Sequence, residues 1–266
     1  MWRHSLSISH PDLPASNTMS DIPLPAELLD RVINLVRVDS ERSFKNCCLV
    51  SKSWIPHVRR YLFEAVVFDS PEKLRLWTDA FPDPSSSPAY HVKKLTVKCP
   101  QAIDETDKGF ISTFRNVVDF TLYVRNTHAG VATCFHGFST SVKILCVDAD
   151  VLSASRIVNL ACSFPRLENL SVFTSQQEGV DEFAGQPTSS PPFTGKLSIR
   201  TKAGMDALIP RLLSVQGGLH FRTVAVVWYK EGDSGLTTSL VESCRSALKH
   251  LKVDSAFEGT YALFPF

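Results

Sequence analysis

Eight short apolar segments recur along residues 64–266 at nearly constant spacing, and only repeat architectures hold a period in this range. Their cores read Val66-Val67-Phe68, Leu95-Thr96-Val97, Phe120-Thr121-Leu122, Leu145-Cys146-Val147, Leu170-Ser171-Val172, Leu197-Ser198-Ile199, Val224-Ala225-Val226 and Leu251-Lys252-Val253. Counted between first residues, the steps are 29, 25, 25, 25, 27, 27 and 27. Between the strands lie Pro71–Ala80, Thr106–Phe114, Ser153–Ser163, Lys202–Ser214 and Leu236–Ala247, which read as helices or turns. Each return is short enough to bring the next strand parallel to the last. The expected fold class is therefore α/β with a parallel sheet. A doubly wound sheet is the alternative, but it usually carries a glycine-rich ligand loop after an early strand, and none is present.

The fullest copy of the unit is Pro165-Arg166-Leu167-Glu168-Asn169-Leu170-Ser171-Val172. On this Leu-x-x-Leu-x-Leu pattern and the 25–27-residue steps, residues 64–266 resemble a leucine-rich-repeat solenoid. Most other copies depart from the pattern, and the asparagine usual after the strand is missing, so the resemblance implies an irregular solenoid. In a Leu-x-Val strand the apolar residues face the core and their neighbours face the other way. Thr96, Thr121, Cys146, Ser171, Ser198, Ala225 and Lys252 are then expected to form one row across the sheet. Solenoids bind extended partners on such faces. Tyr123, Phe173, Arg200 and Lys252 are the candidate target-binding anchors. The proline- and serine-rich stretches Pro82–Pro88 and Gly185–Pro192 read as solvated loops.

The N-terminal part reads differently. Pro25 suits the first turn of a helix and Glu27 suits its dipole. Leu28, Leu29, Val32, Ile33 and Val36 then form one helical stripe. A second helix is expected around Phe44, Cys47 and Cys48, and a third from Pro56 towards Leu62. Leu24-Pro25-Ala26-Glu27-Leu28-Leu29 through Ile33, followed by Leu49-Val50-Ser51-Lys52-Ser53-Trp54, resembles an F-box. The likeness spans residues 22–63, and only the second helix, with Ser43, Asn46, Cys47 and Cys48 in place of leucines, departs from it. Position by position, the resemblance implies that Leu24, Pro25, Leu28, Ile33, Leu49, Val50 and Trp54 face a Skp-family adaptor, and through it a cullin scaffold. It further implies that the chain is the substrate-recognition subunit of a Skp–cullin–F-box type ubiquitin ligase, its repeats holding a target protein. The alternative is a repeat scaffold or regulatory protein that uses the F-box-like cap only to bind a partner.

Composition narrows the remaining classes. Lys plus Arg is 28 and Asp plus Glu is 27, a formal net charge of +1, so long-range steering towards nucleic acid is not expected. Seven cysteines without a paired spacing or an apolar signal segment point to reduced thiols in the cytoplasm or nucleus. The eight histidines are scattered, so no metal and no other cofactor is expected. No apolar run reaches the ~18 residues of a membrane span. Residues 1–21 are polar, broken by Pro11 and Pro14, and read as a flexible leader. Gly232-Asp233-Ser234-Gly235 is similar to a serine-protease nucleophile loop but lacks its flanking residues, and reads better as a turn in which Asp or Ser caps a helix. The chain is not expected to be an enzyme. His57, Arg59 and Arg60 read as a solvated basic face.

Overall fold

The computed structural model describes residues 25–39, 43, 46–47, 52–98, 108–124, 134–136, 138–149, 152–174, 193–202, 205–229 and 233–255. The chain divides into two compact units, Met1–Val58 and Arg59–Phe266. The first contains helix α1, Ala26–Asp39, and a 3-10 turn at Lys52–Trp54; the division falls within α2, Ile55–Leu62. The expected leader and most of the expected second helix lie outside the described residues.

The larger unit is α/β. Its strands are β1 Ala65–Phe68, β2 Lys94–Val97, β3 Asp119–Val124, β4 Ile144–Ala149, β5 Asn169–Thr174, β6 Phe193–Thr201, β7 Leu219–Trp228 and β8 His250–Ser255. They form one sheet in sequence order, and every pairing is parallel. Val66, Leu95, Phe120, Leu145, Leu170, Leu197, Val224 and Leu251 are register partners from strand to strand. The sequence period is thus the register itself. A doubly wound sheet reverses its strand order at a switch point, and this sheet does not.

Helices follow many of the strands: α3 Pro71–Ala80, α4 Lys108–Ile111, α5 Ala154–Cys162, α6 Met205–Leu213 and α7 Asp233–Ser243. Local chemistry starts α3, where the Ser70 hydroxyl accepts from Lys73 N–H, Pro71 opens the first turn and Glu72 meets the helix dipole. The apolar sides of α5 and α6 bury Ile157, Val158, Leu208 and Ile209 in the same core as the inward strand residues. Aromatic rings carry much of that core. Phe68, Trp77, Phe110 and Phe114 meet edge to face or tilted near β1, and Phe120, Phe135, Phe138 and Phe164 do so in the middle. Phe193 stacks on Phe221 near the far end, with centroids 5.7 Å apart.

Several expectations need correction. Leu251 and Val253 were expected in the core, yet they are 49% and 36% exposed, because β8 is the last strand of the sheet. Pro82–Pro88 is not a wholly solvated loop, since Pro88 is buried at the start of a 3-10 turn, Pro88–His91. Helix α7 begins at Asp233 rather than Leu236. The Asp233 carboxylate is buried and accepts from the Tyr229 N–H, closing the turn after β7. The helix expected over Thr106–Phe114 is described only as Lys108–Ile111. The Gly185–Pro192 loop lies outside the described residues.

Candidate interaction surfaces

In the first unit, the Pro25 carbonyl accepts from both Leu28 and Leu29 N–H at 3.0 Å, so the helix starts where the proline allows it. The apolar stripe of α1 then splits. Leu29 and Ile33 are buried, whereas Leu28, Val32 and Leu35 are 46%, 38% and 72% exposed. These three stand at i, i+4 and i+7, a continuous apolar ridge on one side of the helix. His57 Nδ1 lies 2.9 Å from Asp30 Oδ1, so His57 ties α2 to α1 instead of joining a solvated basic face.

The candidate adaptor residues fare unequally. Pro25 and Leu28 are exposed, and Trp54 is half-buried in its 3-10 turn. Ile33 is fully buried and presents no surface to a partner. Leu24, Leu49 and Val50 lie outside the described residues. Val32 and Leu35 were not singled out from the sequence as contact residues. The seven-residue interval from Leu28 to Leu35 was the available signal.

On the sheet, the face opposite the core forms three ordered rows. The middle row is Val67, Thr96, Thr121, Cys146, Ser171, Ser198, Ala225 and Lys252, as the spacing predicts, with Val67 added. A second row runs Tyr123, Asp148, Phe173, Arg200, Val227 and Asp254. The third includes Asp119, Ile144, Asn169, Lys196, Thr223 and His250. Ile144 is the large apolar member of this third row. Tyr123, Phe173 and Arg200 therefore share a row, with Phe173 and Arg200 on adjacent strands, while Lys252 stands in the middle row.

Polar contacts order the anchors. Lys98 Nζ sits 5.5 Å from the Tyr123 ring centroid, a cation–π contact. Arg200 Nε donates to the Tyr229 hydroxyl at 3.1 Å. Lys252 Nζ is 3.1 Å from Asp254 Oδ2, so this lysine is already partly neutralised. The Thr174 and Thr201 hydroxyls meet at 2.6 Å beyond Phe173 and Arg200.

The acidic middle of the face acts on Cys146. Burial first, then Asp148 and Asp119, pushes its thiol up to about 11. A thiol of that kind is protonated at pH 8, and the thiolate is the reactive form. Iodoacetamide should therefore label Cys146 at pH 8 about 100-fold more slowly than an ordinary cysteine of pKa ~9. Peptide mass spectrometry after timed labelling measures this, and fast labelling at pH 8 would contradict the geometry.

A cleft of about 390 Å³ opens beside Lys143, Phe164, Arg166, Leu167, Glu168 and Phe193. Its Lys143 and Glu168 are paired at 2.7 Å just ahead of β4 and β5. Among the described residues, no group of three or more His, Cys, Asp or Glu is placed to hold a metal ion. Among the same residues, no helix is long and apolar enough to cross a membrane. No family model, curated protein or solved structure matches this chain.

Proposed function

We propose that this chain is the substrate-recognition subunit of a Skp–cullin–F-box type ubiquitin ligase. On this reading the N-terminal unit is an F-box that binds a Skp-family adaptor, and the sheet belongs to an irregular leucine-rich-repeat-like solenoid that holds a target protein. The observation that carries it is the order of the sheet: eight parallel strands in chain order, each 25–29 residues after the last, with one face outside the core. Such an order supports a repeat that stacks copies and presents rows of side chains. The exposed Leu28–Val32–Leu35 ridge supports the adaptor half, since contiguous exposed apolar surface marks an interface. Proximity is then the mechanism: the chain brings a target to a ubiquitin-conjugating enzyme and performs no chemistry itself.

Co-purification tests both halves. Leu28→Ala combined with Trp54→Ala should weaken adaptor binding about thirtyfold, the effect of losing ~2 kcal/mol at a hot spot. Circular dichroism should stay unchanged. Phe173→Ala, Arg200→Ala and Lys252→Ala together should lose target proteins yet keep the adaptor. Adaptor capture that is indifferent to the first pair would overturn the F-box reading. Capture of adaptor without adaptor-dependent cullin would favour a scaffold outside the ligase.

A further inference from the structure

Resting on the reading of the open face as the target surface, we infer that its β6–β8 end docks an acidic, extended segment of the target protein. Five Lys and Arg side chains and His250 stand there. Lys196 and His250 share a register row through Thr223, and Arg200 and Lys252 lie further along the same face. Arg222 and Lys249 stand at the leading edge, held side by side by the Lys249 N–H donating to the Arg222 carbonyl at 2.8 Å. All six are exposed. Among the described residues of these three strands the one acid is Asp254, which Lys252 already holds. Lys196, Arg222 and Lys249 have no carboxylate partner among the described residues.

Neighbouring strands lie about 4.8 Å apart, the spacing between Arg222 and Lys249, and like charges that close repel one another. An incoming anion removes that repulsion, so the patch favours a ligand that supplies several. An extended peptide presents alternate side chains every ~6.7 Å, between one and two strand spacings. The strip beside the cations is Ser171, Ser198 and Ala225, small enough for a backbone to lie on, with two serine hydroxyls that can hydrogen-bond it. The middle of the face argues against nucleic acid. Asp119 and Asp148 stand on β3 and β4, where a continuous run of phosphates would be repelled. The positive charge is local, for the chain as a whole carries only +1.

Fluorescence anisotropy on the full chain tests the inference. The probe is a labelled peptide of about twelve residues alternating Glu and Ser, with a Gln–Ser peptide as control. At about 20 mM salt the acidic peptide should bind at least ~10-fold tighter, and the difference should shrink by about 200 mM. Lys196→Glu with Arg222→Glu and Lys249→Glu should abolish the preference, while Lys196→Arg with Arg222→Lys and Lys249→Arg should keep it. The substituted side chains are exposed, and unchanged circular dichroism confirms each variant's fold. Equal binding of both peptides overturns the inference, as does an unaltered preference after charge reversal. Tighter binding of an oligouridylate of the same length would overturn it in favour of RNA. Adaptor co-purification in parallel keeps the outcomes separate: a failed peptide preference with the adaptor retained removes the inference and leaves the ligase reading standing.

Discussion

Phe120→Ala is expected to lower the unfolding free energy by about 3–5 kcal/mol, a large share of the ~5–15 kcal/mol that holds a typical domain. Phe120 is fully buried in the middle of β3. Its ring centroid lies 5.2 Å from Phe135, 5.0 Å from Phe138 and 6.3 Å from Phe164. Those three rings come from separate stretches of chain, after β3 and after α5. None can close the space left by the missing ring without dragging its own backbone, so the cavity persists and the cost is high. Phe120→Leu should be far milder, below about 1.5 kcal/mol, because the register partners on both sides are already Leu95 and Leu145. Urea titration followed by circular dichroism measures both. A loss below ~1 kcal/mol for the alanine would show that the aromatic cluster is not what joins the middle strands.

The parts of this fold that were legible in the sequence are those that repetition writes down. When strand and return together keep one length, the same position opens every strand, so Thr96, Thr121, Cys146, Ser171, Ser198 and Ala225 align without further information. The failures occur where a long-range contact decides. Period 2 says which face Leu251 and Val253 occupy; it does not say that anything covers that face. The five-residue stripe of α1 spans a broad arc, and nothing local distinguishes the Leu29–Ile33 side, which is buried, from the Leu28–Val32 side, which is not. Helix α7 is a local exception: the Tyr229 N–H bonds the Asp233 carboxylate four residues on and closes the turn ahead of the helix. One pairing at the site follows from the strand period alone. Lys252 and Asp254 alternate onto the same face and pair there, so Lys252 is a weaker anchor than its exposure suggests.

Gly195→Ala should be the most damaging single-methyl change among the described glycines, at roughly 2–4 kcal/mol. Two independent costs combine. Gly195 has φ +86°, a conformation that costs an L-residue ~1–2 kcal/mol. An added Cβ would also stand 2.0 Å from the Glu168 carbonyl oxygen and 2.9 Å from its carbon. Both atoms are backbone, and that same oxygen accepts from Lys196 N–H at 2.8 Å, so the strand cannot retreat without breaking the β5–β6 pairing. The register between β6 and β7 shifts at Gly195/Lys196, which marks a bulge, and the bulge lets Phe193 and Phe221 stack inside the core just before it. The substitution therefore strains the bulge and the aromatic pair together. Gly235→Ala is the matched control: Gly235 lies in α7, its new methyl would meet nothing within 4 Å, and helix propensity should stabilise the protein by ~0.5–1 kcal/mol. Thermal unfolding ranks the two, and hydrogen exchange at the Lys196 amide locates the damage. If Gly195→Ala unfolds within about half a kcal/mol of the unsubstituted chain, the bulge does not hold the β5–β6–β7 register.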